Sequence, residues 1–240
     1  MTKRRSRGRH RTPGLGRRRS RLEPKRRFFL YCEGRNTEPA YFSAIRRACS
    51  NALIRVETHG GVGVPYTIAK TAVEFAESKG LTPRRRRRRD SYEENDEVWA
   101  VFDRDDHPRF DEAVRHCERN SVQVARSNPC FELWLILHER DYNRPNRRKQ
   151  VQIELKKLRA DYDPDSGKSP DCDELVSRVH EAEERAEIQL RNRELDDSPY
   201  GNPSTTVGRL TRAIREASEL SRPQAHAVLQ YIFPSGNSTV

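Results

Sequence analysis

Glu97-Val98-Trp99-Ala100-Val101-Phe102, running into Asp103-Arg104-Asp105-Asp106-His107-Pro108, decides the fold. Val98 to Phe102 is apolar without alternation, which reads as a strand buried on both faces of a parallel sheet. The acidic turn that ends it lies where open α/β sheets place their ligand sites, at the carboxyl end of a strand. Phe28-Phe29-Leu30-Tyr31-Cys32 is a second run of this kind, stopped by Glu33-Gly34. Pro39 then stands where the first turn of a helix tolerates it. Tyr41, Ile45 and Ala48 follow on one face, so a helix is expected over about 39–50. Ala52 to Glu57 is a further strand candidate, followed by Gly60-Gly61-Val62-Gly63 and a helical pattern through Ile68, Ala72, Phe75 and Ala76.

Downstream of the acidic turn, Phe110, Ala113, Val114 and Cys117 share a helical face, and Val122-Gln123-Val124-Ala125 reads as a strand. Phe131 to Leu137 is apolar around most of a helix circumference, the mark of a buried helix. From about residue 147 the pattern is helical and more polar, with Leu155 and Leu158 in one segment and Leu175, Val176 and Val179 in another. Asn202-Pro203-Ser204-Thr205-Thr206 opens an amphipathic helix through Val207, Leu210, Ala213, Ile214 and Ala217. The alternation specifies an α/β fold, a mostly parallel sheet with helices on both faces, plus a helical C-terminal extension. The expected organisation is a disordered basic tail over 1–26, an α/β core over 27–140 and a helical region over 141–240.

Charge is distributed unevenly. The chain carries +11 overall with 35% charged and 33% hydrophobic residues, so part of it cannot belong to a packed core. Residues 1–27 hold thirteen Lys/Arg against Glu23 alone, a local +12 that leaves −1 for everything else. Arg84 to Arg89 adds six positive charges inside the stretch 80–96, which lacks an apolar period and reads as a flexible loop. Such runs are solvated by self-repulsion and bind polyanions by counterion release, so nucleic acid is the expected partner. The tail should add affinity more than specificity, because it reads charge and not base edges. No window has the ~18–20 apolar residues of a membrane span, and the basic N-terminus lacks a signal peptide's apolar stretch. The five scattered cysteines contain no C-x-x-C pair, which fits a reduced, cytoplasmic setting and argues against a zinc site.

Glu33 ends one strand and Asp103 and Asp105 end another, so a doubly wound sheet brings all three to one edge. Convergent carboxylates suit a hard divalent cation: Mg²⁺ (or Mn²⁺) takes two or three of them and completes its shell with water and a substrate phosphate. Arg35, Arg104 and His107 stand beside them as candidate phosphate contacts. Asp106 and Pro108 are read as turn residues, since Asp favours turn starts. Glu132 lies inside an otherwise apolar helix, where an unpaired charge is expensive, and a structural salt bridge is expected for it. Gly60, Gly61 and Gly63 match neither phosphate-loop pattern and are taken as a flexible loop near the site. Asn128 is a cap or a ligand.

Four segments, Cys32-Glu33-Gly34-Arg35-Asn36-Thr37-Glu38-Pro39, Val101-Phe102-Asp103-Arg104-Asp105-Asp106-His107, Ser127-Asn128-Pro129-Cys130-Phe131-Glu132-Leu133-Trp134-Leu135 and Asn202-Pro203-Ser204-Thr205-Thr206, resemble the RloB-like family over about 27 to 218. The resemblance implies a Toprim-like fold and a setting in bacterial restriction-modification and abortive-infection loci, often beside an ATPase partner, in defence against phage. Similarity to Toprim enzymes implies a strand-end glutamate matching Glu33 and a D-x-D pair matching Asp103 and Asp105. Similarity to the overcoming-lysogenization-defect nucleases extends the catalytic set to Glu38, although a Glu there also suits the positive end of a helix dipole.

The leading expectation is therefore a metal-dependent nuclease acting on RNA, with transfer RNA as one target by analogy, or on DNA. The alternative is a non-catalytic nucleic-acid-binding or regulatory subunit of an ATPase-containing complex, in which Asp103 is dispensable. A third reading, a haloacid-dehalogenase-type phosphatase with Asp103 as nucleophile, is disfavoured because the D-x-D follows two other strands and leaves Glu33 without a role. Homo-oligomerisation is compatible with all three.

Overall fold

Arg26–Cys32 forms β1, and its side chains alternate between two apolar cores. Phe28, Leu30 and Cys32 point to one face, and Phe29 and Tyr31 to the other. The sequence shows no polar alternation because neither face meets water. The computed structural model describes residues 26–49, 54–83, 96–104 and 107–220. The basic tail and the arginine run of the 80–96 loop lie outside these, as does Asp105.

After β1 come α1 (Thr37–Ala48), β2 (Ile54–His59), α2 (Pro65–Ser78), β3 (Glu97–Asp103), α3 (Phe110–Arg119) and β4 (Gln123–Asn128). Then follow α4 (Glu132–Glu139), α5 (Arg148–Leu158), α6 (Cys172–Val176), α7 (Val179–Leu195), β5 (Ser204–Thr205) and α8 (Val207–Leu220). The five-stranded sheet has the order β2-β1-β3-β4-β5; the first four strands are parallel and β5 is antiparallel to β4. Helices α2 and α3 cover one face through Ile68, Ala72, Phe110 and Ala113. Helices α1, α4, α7 and α8 join the other face around the fully buried Trp134, whose truncation to Ala would cost about 3–5 kcal/mol.

Two features of the second half differ from the expectation. Ser204 and Thr205 pair with Asn128 and Ser127 before the helix begins at Val207, so the segment first completes the sheet. Thr205 serves both roles: its Oγ1 lies 3.0 Å from the Ser127 hydroxyl and accepts from Val207 N at 3.2 Å. Leu175, Val176 and Val179 also belong to two helices, because the chain bends at Ser177, whose hydroxyl donates to the Glu174 carbonyl at 2.6 Å. The core around Trp134 includes Phe28 and Val101 from the first half and Val151, Ala182 and Leu210 from the second. Glu183, only 2% exposed, ties α7 to α8 through Arg215 at 2.7 Å and the Thr211 hydroxyl at 2.9 Å. The cysteines are free, and among the described residues no helix is long and apolar enough to cross a membrane.

Candidate functional site

Because β1 and β3 are adjacent and parallel, their carboxyl ends bring Glu33 and Asp103 together. Glu33 N donates to the Val101 carbonyl at 3.1 Å, continuing the β1–β3 ladder one residue past β1. Its carboxylate turns back, with Oε2 accepting from the Asp103 backbone N at 3.2 Å. Two more acids close on this point from helix starts. Glu38, in the first turn of α1, accepts from Gly34 N at 2.9 Å and is 6% exposed. Glu132 is the first residue of α4, where it faces the favourable end of the helix dipole. With Arg148 and Tyr162 these acids line a cavity of about 200 Å³.

Placing carboxylates side by side away from water disfavours their charged forms. Burial, reinforced by Glu38, Glu132 and Glu33, holds Asp103 well above the usual carboxylate range, against the opposing pull of Arg148. Burial likewise raises Glu38, offset in part by its backbone hydrogen bonds and reinforced by Glu132 and Glu33. Burial also pushes up the neighbouring Cys130 thiol and the Tyr162 phenol, both facing Glu132.

An arginine answers this negative charge. Arg148, the first residue of α5, donates through Nη2 to Asp103 Oδ2 at 2.8 Å and stands 3.9 Å from Glu33 Oε1. His107 Nε2 lies 3.8 Å from Glu33 Oε1, beyond hydrogen-bond range. Arg35 is exposed on the rim of the same cavity. Arg104 turns away from the acids: its Nη1 donates to the Tyr200 carbonyl at 2.6 Å and its guanidinium lies 5.5 Å from the Phe110 ring centroid. It lines a second, larger cavity instead.

The expected salt bridge to Glu132 is replaced by two neutral donors, Tyr162 OH at 2.8 Å and Gln152 Nε2 at 3.0 Å, both onto Oε1. Glu132 starts its helix, so it needs less compensation than a charge in mid-helix. Asn128 Nδ2 donates to the Tyr200 carbonyl at 2.6 Å, which ties β4 to the segment before β5 and makes Asn128 a structural brace. The glycine stretch is tied down as well, since Gly61 N donates to the Gly34 carbonyl at 3.0 Å and Val62 N to the Cys32 carbonyl at 3.2 Å. Gly60 allows this approach: a Cβ there would meet the Gly34 carbonyl oxygen at 2.8 Å.

Among the described residues no group of three or more His, Cys, Asp or Glu side chains is arranged to hold a metal ion. The donor chemistry nevertheless suits a hard divalent cation, which is commonly held by one or two carboxylates and otherwise by water and phosphate. Glu33 and Asp103 are the carboxylates that could hold it, since both approach the Arg148 guanidinium. Burial is the main cause that raises Asp103, and the smaller part contributed by Glu38, Glu132 and Glu33 is what a divalent ion would relieve.

The fold and site thus define an α/β protein with buried acids at the carboxyl edge of a mostly parallel sheet. Residues 28–214 match the RloB-like protein family, and the chain belongs to that family. No curated protein and no solved structure matches the chain.

Proposed function

We propose that the chain is a metal-dependent nuclease that hydrolyses phosphodiester bonds of RNA or DNA, using Mg²⁺ or Mn²⁺, in the anti-phage setting that the resemblance to the RloB-like family implies. The observation that carries this reading is the junction of two cavities of opposite character. The acids Glu33, Glu38, Asp103 and Glu132 line one, and Arg104, Arg147, Lys149 and Lys156 line the other, with Arg148 on the wall of both. Acids beside a basic cavity match what a phosphodiester and its cation require together.

Glu33 and Asp103 would hold the ion, joined by Asp105 from outside the described residues. When bound, the ion supplies a Lewis acid for a phosphoryl oxygen and lowers the pKa of a coordinated water. Arg148, freed from Asp103, would meet a phosphate oxygen through its planar fork of donors. Glu38, raised by burial and already accepting from Gly34 N through Oε1, would turn Oε2 toward the leaving oxygen and take part there in proton transfer. Arg35 and His107 would contact the phosphate from the rim.

The test is cleavage of transfer RNA, single-stranded RNA and duplex DNA with Mg²⁺ or Mn²⁺, alone and with the ATPase partner supplied. Wild type is compared with Glu33→Gln and Asp103→Asn. Metal-dependent products lost by at least ~10²-fold in both variants are expected. No products in any sample would overturn the reading.

The second reading, a nucleic-acid-binding or regulatory subunit of an ATPase-containing complex, is favoured by the Arg148–Asp103 contact at 2.8 Å, in which the carboxylate anchors α5. On that reading Asp103→Asn retains function in the complex.

A further inference from the structure

The larger cavity, about 740 Å³, has no part in holding the cation. Its lining contributes five cations, Arg104, Arg147, Arg148, Lys149 and Lys156, against the single acid Asp165. Two of these charges are answered elsewhere, Arg148 by Asp103 at 2.8 Å and Lys156 by Asp163 at 2.7 Å. Among the described residues the other three are not: Arg104 meets neutral groups, the Tyr200 carbonyl and the Phe110 ring, and Arg147 and Lys149 are exposed with no acidic partner. Helix α5 begins here with no acid in its first turn, so its own start does not offset the concentration of charge. A protein gains no stability from gathering repelling cations around a cavity, and such a wall is complementary to an anion with several charges.

The remaining wall narrows the choice of anion. Ile153, 47% exposed, and the rings of Pro129 and Pro164 give it an apolar side that suits a sugar. Among the described residues no aromatic side chain lines it, so these offer no platform on which a base would stack. Its volume lies in the ~300–1,000 Å³ range of sites that enclose one small ligand or a piece of a chain, which a duplex cannot enter.

We propose that this cavity holds the sugar-phosphate backbone of a short single-stranded nucleic acid segment, gripped by Arg104, Arg147 and Lys149, and leads it past Arg148 to the carboxylates. The proposal rests on the nuclease reading for what happens at the acids, but the binding it describes needs no metal and no cleavage. Contacts to backbone alone make the grip independent of sequence.

The experiment uses the full-length chain in EDTA with a fluorescent 12-nucleotide single-stranded RNA carrying 4-thiouridine. Anisotropy gives affinity across a salt series, and photo-crosslinking with peptide mapping shows where the strand lies. Wild type is compared with Arg147→Ala/Lys149→Ala and with Lys79→Ala, an exposed cation on another face. Cross-links in the segment 146–165 are expected, with about tenfold weaker binding in the double variant only and a salt slope lower by about 0.7 for each lost contact. A duplex of the same length, gripped by the basic tail, should bind the double variant like wild type.

Cross-links confined to residues 1–25 and 84–89, unchanged affinity in the double variant, an equal loss for the duplex, or displacement of the strand by micromolar ATP would each overturn the proposal. Cleavage separates it from the nuclease reading. If the double variant binds normally while Glu33→Gln still abolishes cleavage, the cavity proposal falls alone. If binding is lost as expected but no sample is ever cut, the cavity stands and the nuclease reading falls.

Discussion

Arg148→Met and Asp103→Asn remove opposite ends of one contact and should have unequal effects. Asp103 has 7% of its side-chain surface exposed and Arg148 has 35%, so the acid depends on the cation far more than the cation depends on the acid. Removing one partner of a fully buried pair costs about 3–5 kcal/mol, because it strands the other charge. The solvent around Arg148 already screens part of the attraction, which brings the expected cost of Arg148→Met down to about 2 kcal/mol. In Asp103→Asn the guanidinium remains hydrated and still faces Glu33 at 3.9 Å, while the repulsion from Glu33, Glu38 and Glu132 disappears. Its cost should stay below ~1 kcal/mol or become a gain. The double variant should recover most of the Arg148→Met loss, since no buried charge is then stranded. Urea unfolding at neutral pH reads all three midpoints, and 2 kcal/mol corresponds to about 4–8 °C in Tm for a domain of this size. Equal losses in the two single variants, or an Arg148→Met midpoint equal to wild type, would refute the claim that the acid cluster needs its arginine.

Mg²⁺ should raise the Tm of Arg148→Met more than that of wild type, because the ion no longer competes with the guanidinium; a thermal shift series checks this, and equal shifts count against Glu33 and Asp103 as the ligand pair. His138 is 1% exposed, with Nε2 2.9 Å from the Tyr41 hydroxyl and Nδ1 2.9 Å from the Trp134 carbonyl, and burial lowers its pKa to about 3. The folded value lies below the ~6.5 of an exposed His, so its contribution is whole above that pH and is lost as pH falls toward 3, by up to ~1.4 kcal/mol per unit. Between about pH 6.5 and 5, His138→Gln should therefore lose about 2 kcal/mol less stability than wild type, and parallel pH profiles would show that His138 is not the source. A Cβ on Gly34 would sit 1.9 Å from Glu38 Oε2, so Gly34→Ala should cost about 1–2 kcal/mol with Glu38 present and little in a Glu38→Ala background, a double-mutant cycle measured in urea. Tyr162→Phe removes one of the two donors to Glu132 and should lower stability by about 1–2 kcal/mol; an unmoved unfolding midpoint would mean that Gln152 suffices.

The sheet and the pair Glu33–Asp103 were legible because strands buried on both faces leave continuous apolar runs, and because each acid stands immediately after or at the end of one. Arg148 was not, since Arg147-Arg148-Lys149 reads as a solvated basic run and nothing local says which member turns inward. A signal existed in helical spacing. Arg148 precedes the buried Val151 by three residues and the buried Leu155 by seven, which puts it on the inward face of α5. β5 was missed for a different reason: two residues carry no period, and Asn-Pro followed by Ser-Thr-Thr signals a helix start equally well. The length of the apolar run Phe131 to Leu137 hid the fact that Glu132 begins its helix, so the neutral donors from Gln152 and Tyr162 could not be anticipated.

The order in which the parts of this sheet leave the ribosome has a consequence of its own. Everything from β1 to α4 is synthesised before α5 to α8, yet the later segment supplies the arginine for Asp103, both donors for Glu132, the neighbour of strand β4 and the helices that pack around Trp134. A half-made chain therefore presents repelling acids, an open strand edge and an uncovered apolar helix together, and its folding must wait for the synthesis of α5 to α8.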